Sequence, residues 1–171
     1  MGGGNSVGVF EPLRRVNIYG TLAYSYFQGV PLPITFHPDN GSILMCDFSS
    51  GFNPPEIVKK RPVVVMSPRR NNSQLCTVVP LSTTAPNPIE NHHHRLDPAS
   101  LPRSLRHQET WAKCDMLMTV SLSRLDRIRD GRGPNGTRKY ITGKLTPADF
   151  KAIRIGVLYA LGLNSLTTHV P

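Results

Sequence analysis

Cysteine is scarce: Cys46, Cys76 and Cys114 are the only three in 171 residues, and none stands in a CxxC pair. An odd number of widely spaced thiols excludes a disulfide framework and a zinc knuckle. Each sits inside an apolar run, so all three read as small core residues of a protein in a reducing cytoplasm. Long apolar stretches are also missing, and nothing approaches the roughly 20 residues of a membrane helix. The first 16 residues lack the basic region and following apolar stretch of a secretory signal. Acidic residues are few. Lys plus Arg minus Asp plus Glu is 20 − 11 = +9, a balance that favours polyanionic partners such as nucleic acid.

The chain divides unevenly. Residues 1–36 are Gly-rich and then mixed aromatic, with no sustained period, and read as an irregular N-terminal extension. A single domain is expected over residues 37–165, with a tail over 166–171. Its first strand is expected over 43–48. Residues 59–68 read KKRPVVVMSP, a basic cluster set against a β-branched run. Valines suit a pleated surface, and Pro62, lacking an N–H, belongs at the first strand position and holds Arg61 at the rim. A second apolar strand, 75–84, ends in the hydroxyls Ser82, Thr83 and Thr84, and the Asn71-Asn72-Ser73 turn makes the two an antiparallel hairpin.

Residues 84–108 form a long loop with Pro86, Pro88, Pro98 and Pro102 and four histidines. Loops of that length inside a compact domain are usually functional. A third strand starts at Trp111 and carries Lys113 and Asp115 two apart on one face, followed by a short helical turn at 123–127. The basic segment 129–139 (RDGRGPNGTRK) reads as a flexible connection. A final helix is well marked: Thr146, Pro147 and Asp149 supply the N-cap, N1 proline and N3 acid of a capping box, and Gly162 the stop. Phe150, Ile153, Val157, Leu158 and Leu161 are its expected buried stripe. Several short strands followed by one helix indicate a mainly β, α+β domain, a small partly open barrel with a C-terminal amphipathic helix.

Arg61 offers a planar fork of donors suited to phosphate, with Lys60 beside it, and Ser82 and Thr83 offer hydroxyls at the end of the neighbouring strand. Taken alone, Arg61 also reads as a solvated rim charge, the hydroxyls as strand-end turn chemistry, Asp115 as a structural partner and Trp111 as core. The run His92-His93-His94 suggests a metal. Three consecutive residues of an extended chain do not all face one ion, however, and no acid or Cys follows at ligand spacing. It reads instead as a loop placing one histidine near RNA, and no metal or other cofactor is expected.

The ordered series Gly41-x-Ile43, Asp47, Gly51, Arg61-Pro62-Val63-Val64, Pro80-Leu81-Ser82-Thr83, Cys114-Asp115, Thr119-Val120 and Arg124-Leu125 resembles the MazF/PemK toxins of bacterial type II toxin–antitoxin systems. The resemblance covers about residues 41–163. It implies an SH3-like barrel, a two-fold homodimer, and a ribosome-independent endoribonuclease that cuts single-stranded RNA, including mRNA, at short motifs under control of an antitoxin. The family's catalytic arginine matches Arg61, and its catalytic threonine falls on Ser82 with Thr83 adjacent. Lys113 and Asp115 match a basic-Cys-Asp element that contributes to RNA binding and catalysis. Glu56 stands where the family carries an acid before the arginine, and the general base is left open between these groups. The other possibility on the same barrel is a non-catalytic nucleic-acid binder or a gyrase-poisoning toxin of the related CcdB type.

Overall fold

The computed structural model describes residues 34–69 and 73–171. The β-branched runs become short strands: β1 (Ser42–Cys46), β2 (Arg61–Val65), β3 (Leu75–Ser82), β4 (His93–Arg95), β5 (Trp111–Lys113), β6 (Met118–Ser121), β7 (Leu125–Asp126), β8 (Ile128–Arg132), β9 (Arg138–Ile141) and β10 (Gly143–Lys144). The helix α1 spans Pro147–Ala160. The main sheet runs β10-β1-β2-β3-β5-β4, with β6 also on β3 and β7 also on β1, while β8 and β9 form a separate hairpin. Every pairing is antiparallel. The sheet is open, since its terminal strands β10 and β4 are not neighbours. The described residues all fall in one compact unit.

The sheet is buried on both faces, which explains why its strands read as unbroken apolar runs. Successive side chains point to opposite sides. Val63 and Val65 join Leu44, Cys46, Cys76 and Val78 in one core, whereas Val64 joins Ile43, Val79 and Leu81 in the other. All three valines are wholly buried, each worth about 1.5–3 kcal/mol relative to exposure. The sheet's middle strand, β3, pairs with β2 through 78–80 on one edge. On its other edge it pairs with β6 through 75–78 and with β5 through Leu81 and Ser82. Ser82 thereby lies opposite Trp111. The β2–β3 hairpin is as the sequence predicts, although residues 71 and 72 of its expected turn lie outside the described residues.

Helix α1 starts as expected: Thr146 Oγ1 accepts the Asp149 N–H at 3.3 Å and Pro147 occupies the first turn. Gly162 ends it at φ +71°. The apolar stripe is narrower than expected, because Leu161 is 57% exposed and only Ile153 of the five is fully buried. The capping box is also incomplete. The Thr146 N–H goes to Ser100 Oγ at 3.2 Å, so the Asp149 carboxylate is used elsewhere.

Three further expectations change. Residues 84–108 are not bare loop: β4 adds to the sheet beside β5, and short 3-10 turns occupy Pro98–Ser100 and Arg103–Leu105. The segment 129–139 is not a flexible connection but the body of the β8–β9 hairpin, reversed by bonds from Gly133 N to Thr137 O (2.7 Å) and Gly136 N to Gly133 O (3.0 Å). The strand beginning at Trp111 stops at Lys113, and Cys114–Met116 forms a 3-10 turn. Lys113 and Asp115 therefore do not share a strand face. The break seats Cys114 against α1: its N–H bonds His92 O at 3.2 Å and its thiol reaches Ile153 O at 3.6 Å. The expected helical turn after it lies at Leu122–Arg124 rather than 123–127.

Packing extends past both ends expected for the domain. Ile34 is buried, with its N–H bonded to Leu125 O at 3.2 Å, and Val170 is buried near the C-terminus. Residues 1–33 lie outside the described residues. All three thiols are free and buried, and burial pushes Cys46 and Cys114 up to about 12. Among the described residues no helix is long and apolar enough to cross a membrane.

Candidate active site

Arg61 opens β2, paired with Cys46 of β1; the residue is half-buried, and its guanidinium finds no hydrogen-bond or ion-pair partner among the described residues. It lines a cleft of about 310 Å³ shared with Ser82 and Thr83. β2 and β3 are neighbours, so the start of one and the end of the other fall on the same rim. Ser82 Oγ accepts the Thr84 N–H at 3.1 Å, which shapes the turn and leaves the hydroxyl proton free to donate. Thr83 is exposed. A planar cation and two hydroxyls on one rim suit a phosphodiester.

The cleft is also lined by Ser104, Leu105, His107, Gln108 and Thr110. This part of the lining comes from the segment after β4, whose place no local pattern predicts. Leu105 N bonds Pro102 O at 2.8 Å, and Arg106 Nε donates to Leu101 O at 2.7 Å, so the segment folds on itself. His107 is exposed, and its ring also has no partner among the described residues. It is the one imidazole lining this cleft, and sequence reasoning missed it. The available signal was its membership of a histidine-bearing long loop, which does not say which histidine faces what. The same His107 and Gln108 wall a second cavity of about 620 Å³, lined also by Arg95, Asp97, Glu109 and Asp149.

The remaining sequence candidates lie outside the Arg61 cleft. Glu56 Oε2 accepts the Asn53 N–H at 2.8 Å, closing a turn of the 53–56 loop. Lys60 Nζ sits 3.1 Å from Asp47 Oδ2, an exposed pair. Bonds from Ser49, with Lys60 adding to them, hold the Asp47 carboxyl down at about 2. Lys113 pairs in register with His93 across β4 and β5. Asp115 lies 4.0 Å from His92 Nε2, whose Nδ1 is 3.3 Å from Glu90 Oε2.

His92, His93 and Asp115 also form the one group of potential metal ligands among the described residues, with one donor atom each within 4.8 Å. Two of the three consecutive histidines converge, because the chain turns at 91–92 before entering β4, and the acid, which no local spacing offers, arrives from the distant Asp115. The tautomer works against a metal there. His93 Nδ1 accepts the Glu90 N–H at 3.1 Å, which in the neutral ring leaves the proton on Nε2 and removes its lone pair. Burial first, then the positive charges of His92 and Lys113, lower the His93 pKa. His94 faces elsewhere, with Nε2 2.7 Å from Asp149 Oδ1.

The family model of PemK-like, MazF-like toxins of type II toxin–antitoxin systems matches residues 39–157. The chain belongs to that family. The match encloses Arg61, Ser82, Thr83, His107 and Asp115, so the whole cleft of this PemK/MazF-family chain lies inside it. The uncharacterized protein YifN of Escherichia coli K12 is 34% identical over 121 residues, 60% of this chain and 80% of that one. An endoribonuclease from a mycobacterial species is similar in fold, with a TM-score of 0.52 at 19% identity over 74% of this chain and 93% of that one. MazF of Deinococcus radiodurans is similar too, with a TM-score of 0.52 at 15% identity over 74% of this chain and 98% of that one.

Proposed function

We propose that this chain is the toxin of a type II toxin–antitoxin pair, a cytoplasmic endoribonuclease that cleaves single-stranded RNA at short motifs without a metal. The observation that carries this is the half-buried Arg61, whose guanidinium has no partner among the described residues, in one cleft with Ser82 and Thr83. As a ribose 2′-oxygen attacks phosphorus, the pentavalent centre gains charge on its non-bridging oxygens. A fixed fork of N–H donors aimed there stabilises that charge more than it stabilises the ground state. Ser82, whose hydroxyl proton is uncommitted, and Thr83 donate to the same oxygens. Glu56, Lys60 and Lys113 bind the flanking RNA, and Asp115, from the turn after β5, contributes to binding and catalysis.

The open antiparallel sheet supports an SH3-like barrel, and membership of the family supports a two-fold dimer. A +9 chain needs restraint against indiscriminate RNA binding, which an acidic, partly disordered antitoxin segment laid over the basic cleft provides.

Incubation of the protein with a long single-stranded RNA in EDTA, followed by mapping of the ends, tests the activity. Cuts at a recurrent motif, leaving a 5′-hydroxyl and a 2′,3′-cyclic phosphate, are expected. Strict dependence on Mg²⁺, or no cutting, overturns it and favours a non-catalytic binder or gyrase poison.

A further inference from the structure

Transesterification of RNA needs a group to accept the 2′-hydroxyl proton, and the acids singled out from the sequence do not line the Arg61 cleft. Glu56 is tied to the Asn53 turn and Asp115 stands beside His92. Arg61 donates only, and Ser82 and Thr83 are poor bases. His107 is the one imidazole in the cleft lining, the side-chain type that serves most often as a general base. Its ring is exposed and has no partner among the described residues, so a nitrogen lone pair is available. It lines the same cleft as Arg61, Ser82 and Thr83, so a phosphate held by Arg61 shares that cleft with an imidazole.

We propose that His107 is the proton acceptor for RNA cleavage in this chain, an inference that rests on the endoribonuclease reading above. The neutral ring takes the proton of the 2′-hydroxyl as O2′ bonds to phosphorus. The bond from phosphorus to O5′ breaks, O5′ leaves with the electron pair and takes a proton from water, and the imidazolium returns its proton to solvent. The products are a 2′,3′-cyclic phosphate and a 5′-hydroxyl. The charged groups of the two cavities that His107 lines are Arg61 in the cleft, Arg106 and Glu109 beside it in sequence, and Arg95, Asp97 and Asp149 in the adjoining cavity.

The test is the pH dependence of kcat/KM for the full chain, His107→Gln and His107→Ala, on one RNA bearing the mapped motif. In the parent, the rate should rise with pH through the imidazole range and level off. His107→Gln should lose on the order of 10²–10⁴-fold, the usual worth of a positioned base. It should lose that limb as well, with KM little changed, and added imidazole should restore part of the activity of His107→Ala. A merely structural role would not yield to imidazole rescue. His107 is exposed, so both variants should unfold with the parent. His107→Gln within about threefold of the parent, or the same limb in both, overturns the assignment. Failure of the parent to cut RNA overturns the underlying reading together with it.

Discussion

His94 Nε2 lies 2.7 Å from Asp149 Oδ1, joining β4 to the first turn of α1. The other carboxylate oxygen accepts from the Ser100 hydroxyl and, at 3.3 Å, from the Asp97 N–H. One buried acid therefore gathers a helix, an edge strand and the turn that leads to the cleft wall.

Burial resists ionisation of Asp149, but the bonds from Ser100 and His94 outweigh it and the pKa is lowered. A group whose folded pKa lies below its unfolded value contributes stability above the unfolded value, near 4 for Asp, and that stability is lost as pH falls through the folded value. Asp149→Asn should therefore destabilise the chain at neutral pH by roughly 2–4 kcal/mol. It should also flatten the acid limb of the unfolding profile. Chemical denaturation at pH 7 and at about pH 3 checks both. An unchanged acid limb would count against Asp149 as its source.

Arg61→Ala should abolish RNA cutting and cell toxicity while leaving the fold intact, a loss of roughly 3 kcal/mol or more of transition-state stabilisation. Of the hydroxyls, Ser82→Ala should slow cleavage more than Thr84→Ala. Single-turnover rates and growth assays decide the matter, and equal toxicity of Arg61→Ala and parent would favour a binding module.

Trp111 is buried opposite Ser82, and its Nε1 has no hydrogen-bond partner among the described residues. An orphaned buried donor costs about 1–3 kcal/mol. Trp111→Phe removes it at the expense of some packing, so stability should change by less than about 1.5 kcal/mol. Trp111→Ala empties the site and should cost about 3–5 kcal/mol. Urea midpoints of the pair provide the comparison. A Phe variant as weak as the Ala variant would mean that the indole N–H is satisfied in solution.

A Cβ added at Gly156 would lie 2.8 Å from Cys114 Sγ. Gly156→Ala should destabilise by about 1–3 kcal/mol through overpacking, despite a helix-propensity gain of up to about 1 kcal/mol. Gly156→Ala combined with Cys114→Ala should recover part of the loss, measured as a double-mutant cycle. Simple additivity of the two changes would refute direct contact.

The parts legible in the sequence were those where local chemistry and tertiary burial agree. Val63, Val64 and Val65 are β-branched and sit in a sheet covered on both faces, so propensity and packing coincide. Thr146, Pro147 and Gly162 act within their own turns and needed no partner to be read. The β8–β9 hairpin was missed because its charged faces look outward and supply no apolar alternation, although Gly-Pro-Asn-Gly at 133–136 is turn chemistry. The end of β5 at Lys113 follows from the seat of Cys114 beneath α1, a contact across 39 residues that no local pattern encodes. For the cleft, Arg61 and Ser82 were readable because they end strands. His107 was not, because its place depends on how the segment after β4 doubles back.

The two walls of that cleft belong to different parts of the molecule. Arg61 and Ser82 ride on strands whose amides are shared with neighbours on the sheet, whereas His107 stands on exposed backbone after two single-turn helices. Amide exchange at 103–108 should therefore report sub-global opening, and that at 63–65 and 78–80 only global unfolding. The arginine side of the cleft then stays intact through fluctuations that carry the imidazole side away.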